Sequence, residues 1–517
     1  MFMLDRVEGN AEDLVQRYSR PLSLRLANNL DSTLFDLLAT ATELEGHAGL
    51  MLDAVNRGAE VPLLDAAGSK SGFYTVLQML MVALPKEDPH FHLSRCLHRT
   101  EVAELVLDRY SNDRPGYDRI MANLGAFEGR PEIERAAVAQ STSRMSEAMA
   151  GLITHKTLDD FYVVDAQTLK HSAYISALRG LQDGTTSFDI RFNPAKCCLI
   201  DNAKGRSLAE DEWRAAIIAA SQIVKEGIRD AIDEAMAAGY IQQTPQIGII
   251  FSFNRSKEYE VMGQENWPVS TMAAFAVNSA GKEIQGLDIS GSEYIINDFS
   301  GKIAPWAGIL GQVHDEMGLI TTAHLGDVRN CGGPILKEMI DLAKAFREQG
   351  DESAYQSAVL RIFDGFIPFV RGFLEIMPEG SGIGHGYILG SPANMITPFW
   401  DDRSRTILWE DLSSYPDSGK TIERLAGLVE MVKDKGFVIE HNPFAAIRNY
   451  RDLFPGLQLF DWLKDGIRVR LGTDAGTFSL NGPRVMSDQM AGLLLTRPVS
   501  GSPLSIRQLM RLVGYDG

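Results

Sequence analysis

The chain has 517 residues, 45% of them hydrophobic and 23% charged, and carries a net charge of −18. That length suits a large α/β barrel with additions, or two to three domains, and the composition excludes wholesale disorder. The acidic balance argues against direct nucleic-acid binding, because such a surface repels a phosphate backbone.

The four cysteines, Cys96, Cys197, Cys198 and Cys331, form no C-x-x-C pair. A zinc ribbon and the zinc deaminases that need such a pair are therefore excluded, and so few cysteines fit a reducing cytoplasm. The first residues, "MFMLDRVEGNAEDLVQRYSR", carry acids early and lack an apolar core, unlike a signal peptide. No window reaches about 18 uninterrupted apolar residues, so no membrane span is expected.

Residues 1–84 read as a helical region, with apolar residues at three-to-four spacing in "AEDLVQRYS", "LDSTLFDLLATATELEGHAGLMLDAV" and "FYTVLQMLMVAL". From 85 to 517, short apolar or β-branched runs alternate with amphipathic helices. The eight runs are "DPHFHL" (88–93), "SFDIRF" (187–192), "IGIIFSF" (247–253), "IQGLDIS" (284–290), "LITTAHL" (319–325), "GIGHG" (382–386), "FVIEHN" (437–442) and "IRVRLGT" (467–473). Alternating strands and helices imply a parallel sheet, and eight such units predict a (β/α)8 barrel. Between the fifth and sixth runs, "PILKEMIDLAKAFREQGDESAYQSAVLRIFDGFIPFVRGFLEIM" exceeds one βα unit and predicts a helical insertion over about 334–378. Its apolar stretch "FDGFIPFVRGFLEIM" reads as core packing, with a subunit interface as the alternative. Only 43 residues follow Asp474, which is short for the last helices of a barrel.

Polar residues gather at the strand ends: His90 and His92, Asp288 and Gly291, His324 and Asp327, His385, His441, and Asp474. That rim is where barrels of this kind build their active sites. His-x-His on a strand places both imidazoles on one face, a start for a metal site, although alone such a pair is more often ordinary. Five of the ten histidines at strand ends shift that balance. His324 supplies a third nitrogen and Asp474 a carboxylate, which with water in an open position makes a catalytic zinc site. His385 is then free to orient the water or shuttle its proton. Asp327 is placed to be a general acid, or else a helix N-cap opening "VRNCGGPILKEMIDL". His441 reads as a hydrogen-bonded rim histidine.

The order of these motifs resembles the adenosine and AMP deaminases of the metal-dependent amidohydrolase superfamily. "HFHLSR", "IRFNP" (190–194), "GLDISGSE" (286–293), "HLGD" (324–327), "GIGHG" (382–386) and "GTDAG" (472–476) are similar, in order, to the family's H-x-H-L-D-G, V-R-Y-S-P, G-x-D-L-x-G-x-E, H-A-G-E, R-I-G-H-G and N-T-D-D-P. The resemblance spans roughly residues 85–480. It implies one Zn2+ per chain on His90, His92, His324 and Asp474, with His385 handling the attacking water. It further implies Gly291 bringing backbone to the substrate, and Asp327 protonating a purine ring nitrogen as ammonia leaves.

Three positions depart from the pattern. Asp327 replaces a glutamate, Ala475 replaces an aspartate that binds the purine, and Ser94–Arg95 replace the D-G near the sugar. Arg95 suggests a phosphate contact; Arg99, Arg329 and Arg484 also lie near strand ends but read as surface salt bridges. The size and additions resemble divergent ATP or dATP deaminases of bacterial phage defence, such as the RADAR deaminase, a group in which a partner ATPase is expected. The expected protein is a cytoplasmic, homo-oligomeric, zinc-dependent deaminase of an adenine nucleoside or nucleotide. Its rivals are an amidohydrolase acting on a non-adenine substrate, and a nucleotide-binding scaffold with weak catalysis.

Overall fold

The computed structural model describes residues 81, 86–93, 105–106, 109, 112–115, 165–194, 210–255, 278, 284–295, 297, 303–327, 332–401, 406–443, 456–474, 485–495, 504 and 506–514. But for residue 81, the helical region expected over 1–84 lies outside the described residues.

Eight parallel strands follow one another around a barrel: β1 (Lys86–His92), β2 (Thr185–Phe192), β3 (Gln246–Asn254), β4 (Gly286–Ser290), β5 (Ile320–Leu325), β6 (Gly382–His385), β9 (Val438–His441) and β10 (Arg468–Leu471). Each coincides with one of the eight apolar runs. The ring closes just beyond β10, where Asp474 pairs in parallel with Phe91. There the Asp474 N–H donates to His90 O at 2.7 Å and the His92 N–H donates to Asp474 O at 3.1 Å.

Strand alternation divides these residues into two sets. Phe188, Ile190, Phe192, Ile249, Phe251, Phe253, Leu287, Ile289, Ala323, Leu325, Ile383 and Ile439 are buried apolar side chains of the core. The alternate positions supply Asp88, His90, Arg191, Ser252, Asp288, Thr322, His324 and Glu440, all of them buried. The register sets Asp288 beside Thr322 and His324 beside Gly384. The barrel interior is therefore a polar network, where a purely structural barrel is filled with branched apolar side chains.

Helices cover the outside. Helix α1 (Ala166–Gln182) opens on a capping box between Asp165 and Thr168 and packs against α2 (Glu210–Ala237). A short α3 (Ala304–Gly311) precedes β5. Between β5 and β6 lie α4 (Pro334–Gln349) and α5 (Glu352–Ile376). The aromatic run expected to form core does so: Phe363, Phe366, Phe369 and Phe373 are at most 1% exposed. The remaining helices are α6 (Gly419–Asp434), α7 (Gly456–Lys464), α8 (Val485–Leu495) and α9 (Ile506–Leu512). No described helix is long and apolar enough to cross a membrane.

One element was not anticipated. Between β6 and α6, β7 (Met395–Asp401) and β8 (Thr406–Glu410) form an antiparallel hairpin. Glu410 ties it down by accepting the hydroxyl hydrogens of Tyr355 on α5 and of Tyr415.

Candidate metal centre and acid–base site

Three imidazoles meet above the polar interior. His90 and His92 share one face of β1, and His324 reaches them from the end of β5. The Nε2 atoms of His90 and His92 are 3.1 Å apart, and those of His92 and His324 are 3.0 Å apart. Asp474 Oδ1 lies 3.7 Å from His92 Nε2 and 4.0 Å from His90 Nε2. The His385 ring centroid is 5.4 Å from that of His90 and 5.1 Å from that of His324. The donor atoms of His90, His92 and His324 lie within 4.8 Å of one another, as do those of His90, His385 and Asp474.

Carboxylates behind the rings decide which nitrogens face inward. His324 Nδ1 is 3.0 Å from Asp288 Oδ1. Burial alone would raise the Asp288 carboxyl, but His324 and Arg191 outweigh it and hold the pKa well below the usual range. Asp288 is thus an acceptor, and His324 carries its hydrogen on Nδ1. His90 Nδ1 is 2.8 Å from Glu440 Oε2, an oxygen that already accepts from Arg191 Nη2 at 2.7 Å. His90 therefore donates from Nδ1 as well. Burial pushes Glu440 up to about 7, against the pull of Arg191.

Both Nε2 lone pairs then point at the centre of the group. A hydrogen on His92 Nε2 can serve only one of them, whereas a cation serves all three nitrogens. Burial, with Arg191 nearby, holds His90 well below its ordinary pKa, and burial next to His324 takes His92 down to about 3. Neutral imidazoles are what a metal requires. Zn–N bonds of 2.0–2.1 Å in a tetrahedron separate donors by roughly 3.3 Å, close to the spacing here. The donor set fits a divalent ion.

Two backbone features make the convergence possible. Gly382 and Gly384 leave β6 bare on its inner face: a Cβ at Gly382 would lie 2.5 Å from Glu440 Oε1, and one at Gly384 would lie 2.8 Å from His90 Cε1. His385 pairs with outward-facing Leu325, yet its φ of 70° swings the ring back into the barrel. Asp474 has φ 56°. Left-handed conformations cost such residues about 1–2 kcal/mol each and persist where the surroundings impose them. Replacing Gly384 with alanine is expected to push the His90 and His324 rings apart. Affinity for a divalent ion should fall at least about tenfold and stability by about 1–3 kcal/mol, read by metal titration and thermal unfolding. Undiminished affinity would mean that the rings do not pack on β6.

Asp327 is fully buried, with Oδ2 3.9 Å from His385 Nε2. It caps none of the described helices: α4 starts at Pro334 with Gly333 as its N-cap. Glu293 instead anchors the turn, accepting the Gly326 N–H on Oε2 and the Asp327 N–H on Oε1, both at 2.8 Å. Arg255 holds the adjacent turn, donating to the carbonyls of Ser292, Gly291 and His324 while stacking on Phe369 and Phe373. Gly291, at φ 90°, takes a backbone conformation that suits glycine.

Ser94, Arg95, Arg99, Arg329, Ala475 and Arg484 lie outside the described residues. His441 differs from expectation. It is fully buried, its edge meets Trp462, and neither ring nitrogen has a hydrogen-bond partner among the described residues. Its side chain alternates with inward-facing Glu440 and so enters the layer between sheet and helix. Arg191, Glu440, Glu293 and Arg255 carry much of the site and were assigned no part from sequence. The available signal was charge inside strands that are covered on both faces, "FDIRF" and "FVIEH".

No protein-family model matches the chain, and neither does the sequence of any curated protein. Among solved structures, an amidohydrolase from Burkhoderia ambifaria with bound Zn is 15% identical, with a TM-score of 0.45 over 87% of this chain and 88% of that one. Arabidopsis ADAL complexed with IMP is 15% identical, with a TM-score of 0.44 over 84% and 91% of the two chains. An adenine deaminase from Arthrobacter aurescens is 12% identical, with a TM-score of 0.36 over 83% and 97%. At such identities and scores these likenesses assign no role to any residue of this chain.

Proposed function

We propose that this chain is a zinc-dependent hydrolytic deaminase of adenine nucleosides or nucleotides, a divergent relative of the adenosine and AMP deaminases that its ordered motifs resemble. The observation that carries the reading is the set of inward-facing Nε2 atoms of His90, His92 and His324, with Asp474 alongside and Asp327 3.9 Å from His385. His90, His92, His324 and Asp474 would hold one Zn2+. When bound, the ion supplies Lewis acidity, enough to make water nucleophilic at neutral pH.

The remaining steps belong to the protein. His385 Nε2 faces the Asp327 carboxyl and orients the attacking water. Asp327, once protonated, gives its hydrogen to a ring nitrogen of the substrate, which makes the amino-bearing carbon electrophilic. Water adds there, the C–N bond breaks, and ammonia and the inosine-type product leave. By the resemblance, Gly291 would bring backbone to the substrate, and Ser94 and Arg95, which follow β1 in sequence, would serve its sugar and phosphates.

The test is purified protein with adenosine, AMP, ATP and dATP, following the absorbance change of deamination alongside zinc content. Turnover of one of them with about one zinc per chain is the expected result. Zinc-loaded protein inert toward all four would overturn the substrate class. It would favour a second reading, hydrolysis of another amidine, amide or ester, which rests on the shorter acid at Asp327 and on Ala475.

A further inference from the structure

The motif "IRFNP" places one cation, Arg191, at the next-to-last position of β2. Its side chain is wholly buried, 0% exposed. Taking an isolated guanidinium from water costs several kcal/mol unless its surroundings compensate. Its contacts account for it. Nη1 donates to Asp288 Oδ1 at 3.2 Å; Nη2 donates to Glu440 Oε2 at 2.7 Å and to the Pro89 carbonyl at 2.9 Å.

Each acceptor leads to the candidate metal centre. Asp288 Oδ1 is the oxygen that receives His324 Nδ1, and Glu440 Oε2 is the oxygen that receives His90 Nδ1. Pro89 is the residue before His90. One planar group thus fixes the two carboxylates that set the tautomers of two histidines on opposite sides of the barrel, together with the backbone leading into β1. Thr322 Oγ1 and Ser252 Oγ complete the Asp288 acceptor set at 2.9 and 2.6 Å, so that carboxylate has no freedom to follow its histidine elsewhere.

We infer that Arg191 is a positioning residue for metal binding: it bridges Asp288 and Glu440 so that His90 and His324 present bare Nε2 atoms at one point. This rests on the metal reading above. The chemistry demands arginine. A rigid fork spans two carboxylates and a carbonyl, whereas lysine offers a single point charge on a flexible stem. Without the guanidinium, Asp288 keeps only His324, Thr322 and Ser252 and Glu440 keeps only His90, and no cation bridges the two buried carboxylates. A carboxylate released from the fork is free to turn away, and its histidine then loses the partner that orients it.

The experiment measures Zn2+ affinity of the full chain by competition with a chromogenic chelator, with circular dichroism and thermal unfolding alongside. Partners of this kind typically change metal affinity 10–100-fold. R191M is expected to weaken Zn2+ binding within that range, and R191K by less. R109M removes another buried arginine, one that pairs with Asp113 and Asp165, and should leave Zn2+ affinity unchanged. Folded R191M with wild-type affinity overturns the inference and leaves the metal reading standing. Should R191M fail to fold, R191K decides, since it keeps a charge and loses the fork: weakened Zn2+ binding supports the bridge, and unchanged binding overturns it. Wild-type protein that binds no Zn2+ overturns the inference and the metal reading together.

Discussion

Replacing His90 and His92 together with alanine should yield a folded protein that holds no zinc and has lost at least about a thousandfold in turnover. The two rings supply two of three nitrogens whose Nε2 atoms sit 3.0–3.1 Å apart in sequence, His90 to His92 to His324. What remains, His324 with Asp474, is too few donors for a closed tetrahedral set. A lost Lewis acid is a loss of several kcal/mol of barrier lowering, and each 1.36 kcal/mol is tenfold in rate. Elemental analysis of the purified variant, with circular dichroism to establish folding, reads the result directly. About one zinc per chain in a folded double variant would remove both residues from the ligand set.

The second large effect is expected at Asp327. Changing it to asparagine keeps its size, and keeps the backbone N–H that donates to Glu293, but removes the only proton this position can give. General acid catalysis is worth about 10²–10⁴-fold, and the D327N rate should fall by that much with zinc content unchanged. The pairing of the two readouts matters. A rate loss with retained zinc assigns Asp327 to proton transfer, a rate loss with lost zinc makes it part of the metal environment, and an unaffected rate removes it from the chemistry.

The barrel was legible because each strand combines β-branched or aromatic residues with turn residues at its ends, and a long amphipathic helix separates most neighbours. The histidines were legible for a similar reason: His-x-His on a strand has one geometric outcome. The hairpin of β7 and β8 was not, since Pro398 inside "MITPFWD" speaks against a strand, and it sits where the pairing is irregular between Ile396 and Trp400. His385 could be placed at a strand end, but its inward turn depends on one φ angle. Asp327 and His441 owe their surroundings to the fold and not to local spacing. Local spacing allowed a cap and a rim position, while the fold buried the first against His385 and sent the second into the layer beneath α7. Arg191 and Glu440 are 249 positions apart, and no local pattern announces a pair at that distance.

The closing seam of the barrel has a consequence of its own. The bonds that join its last strand to its first, from the Asp474 N–H to His90 O and from the His92 N–H to Asp474 O, are made by the backbones of three residues whose side chains would hold the ion. The seam that shuts the cylinder and the mouth that would take an ion are therefore built from the same few residues. An ion held there would act as a rivet through the weld line, and any loosening of that seam would scatter the donors that hold it.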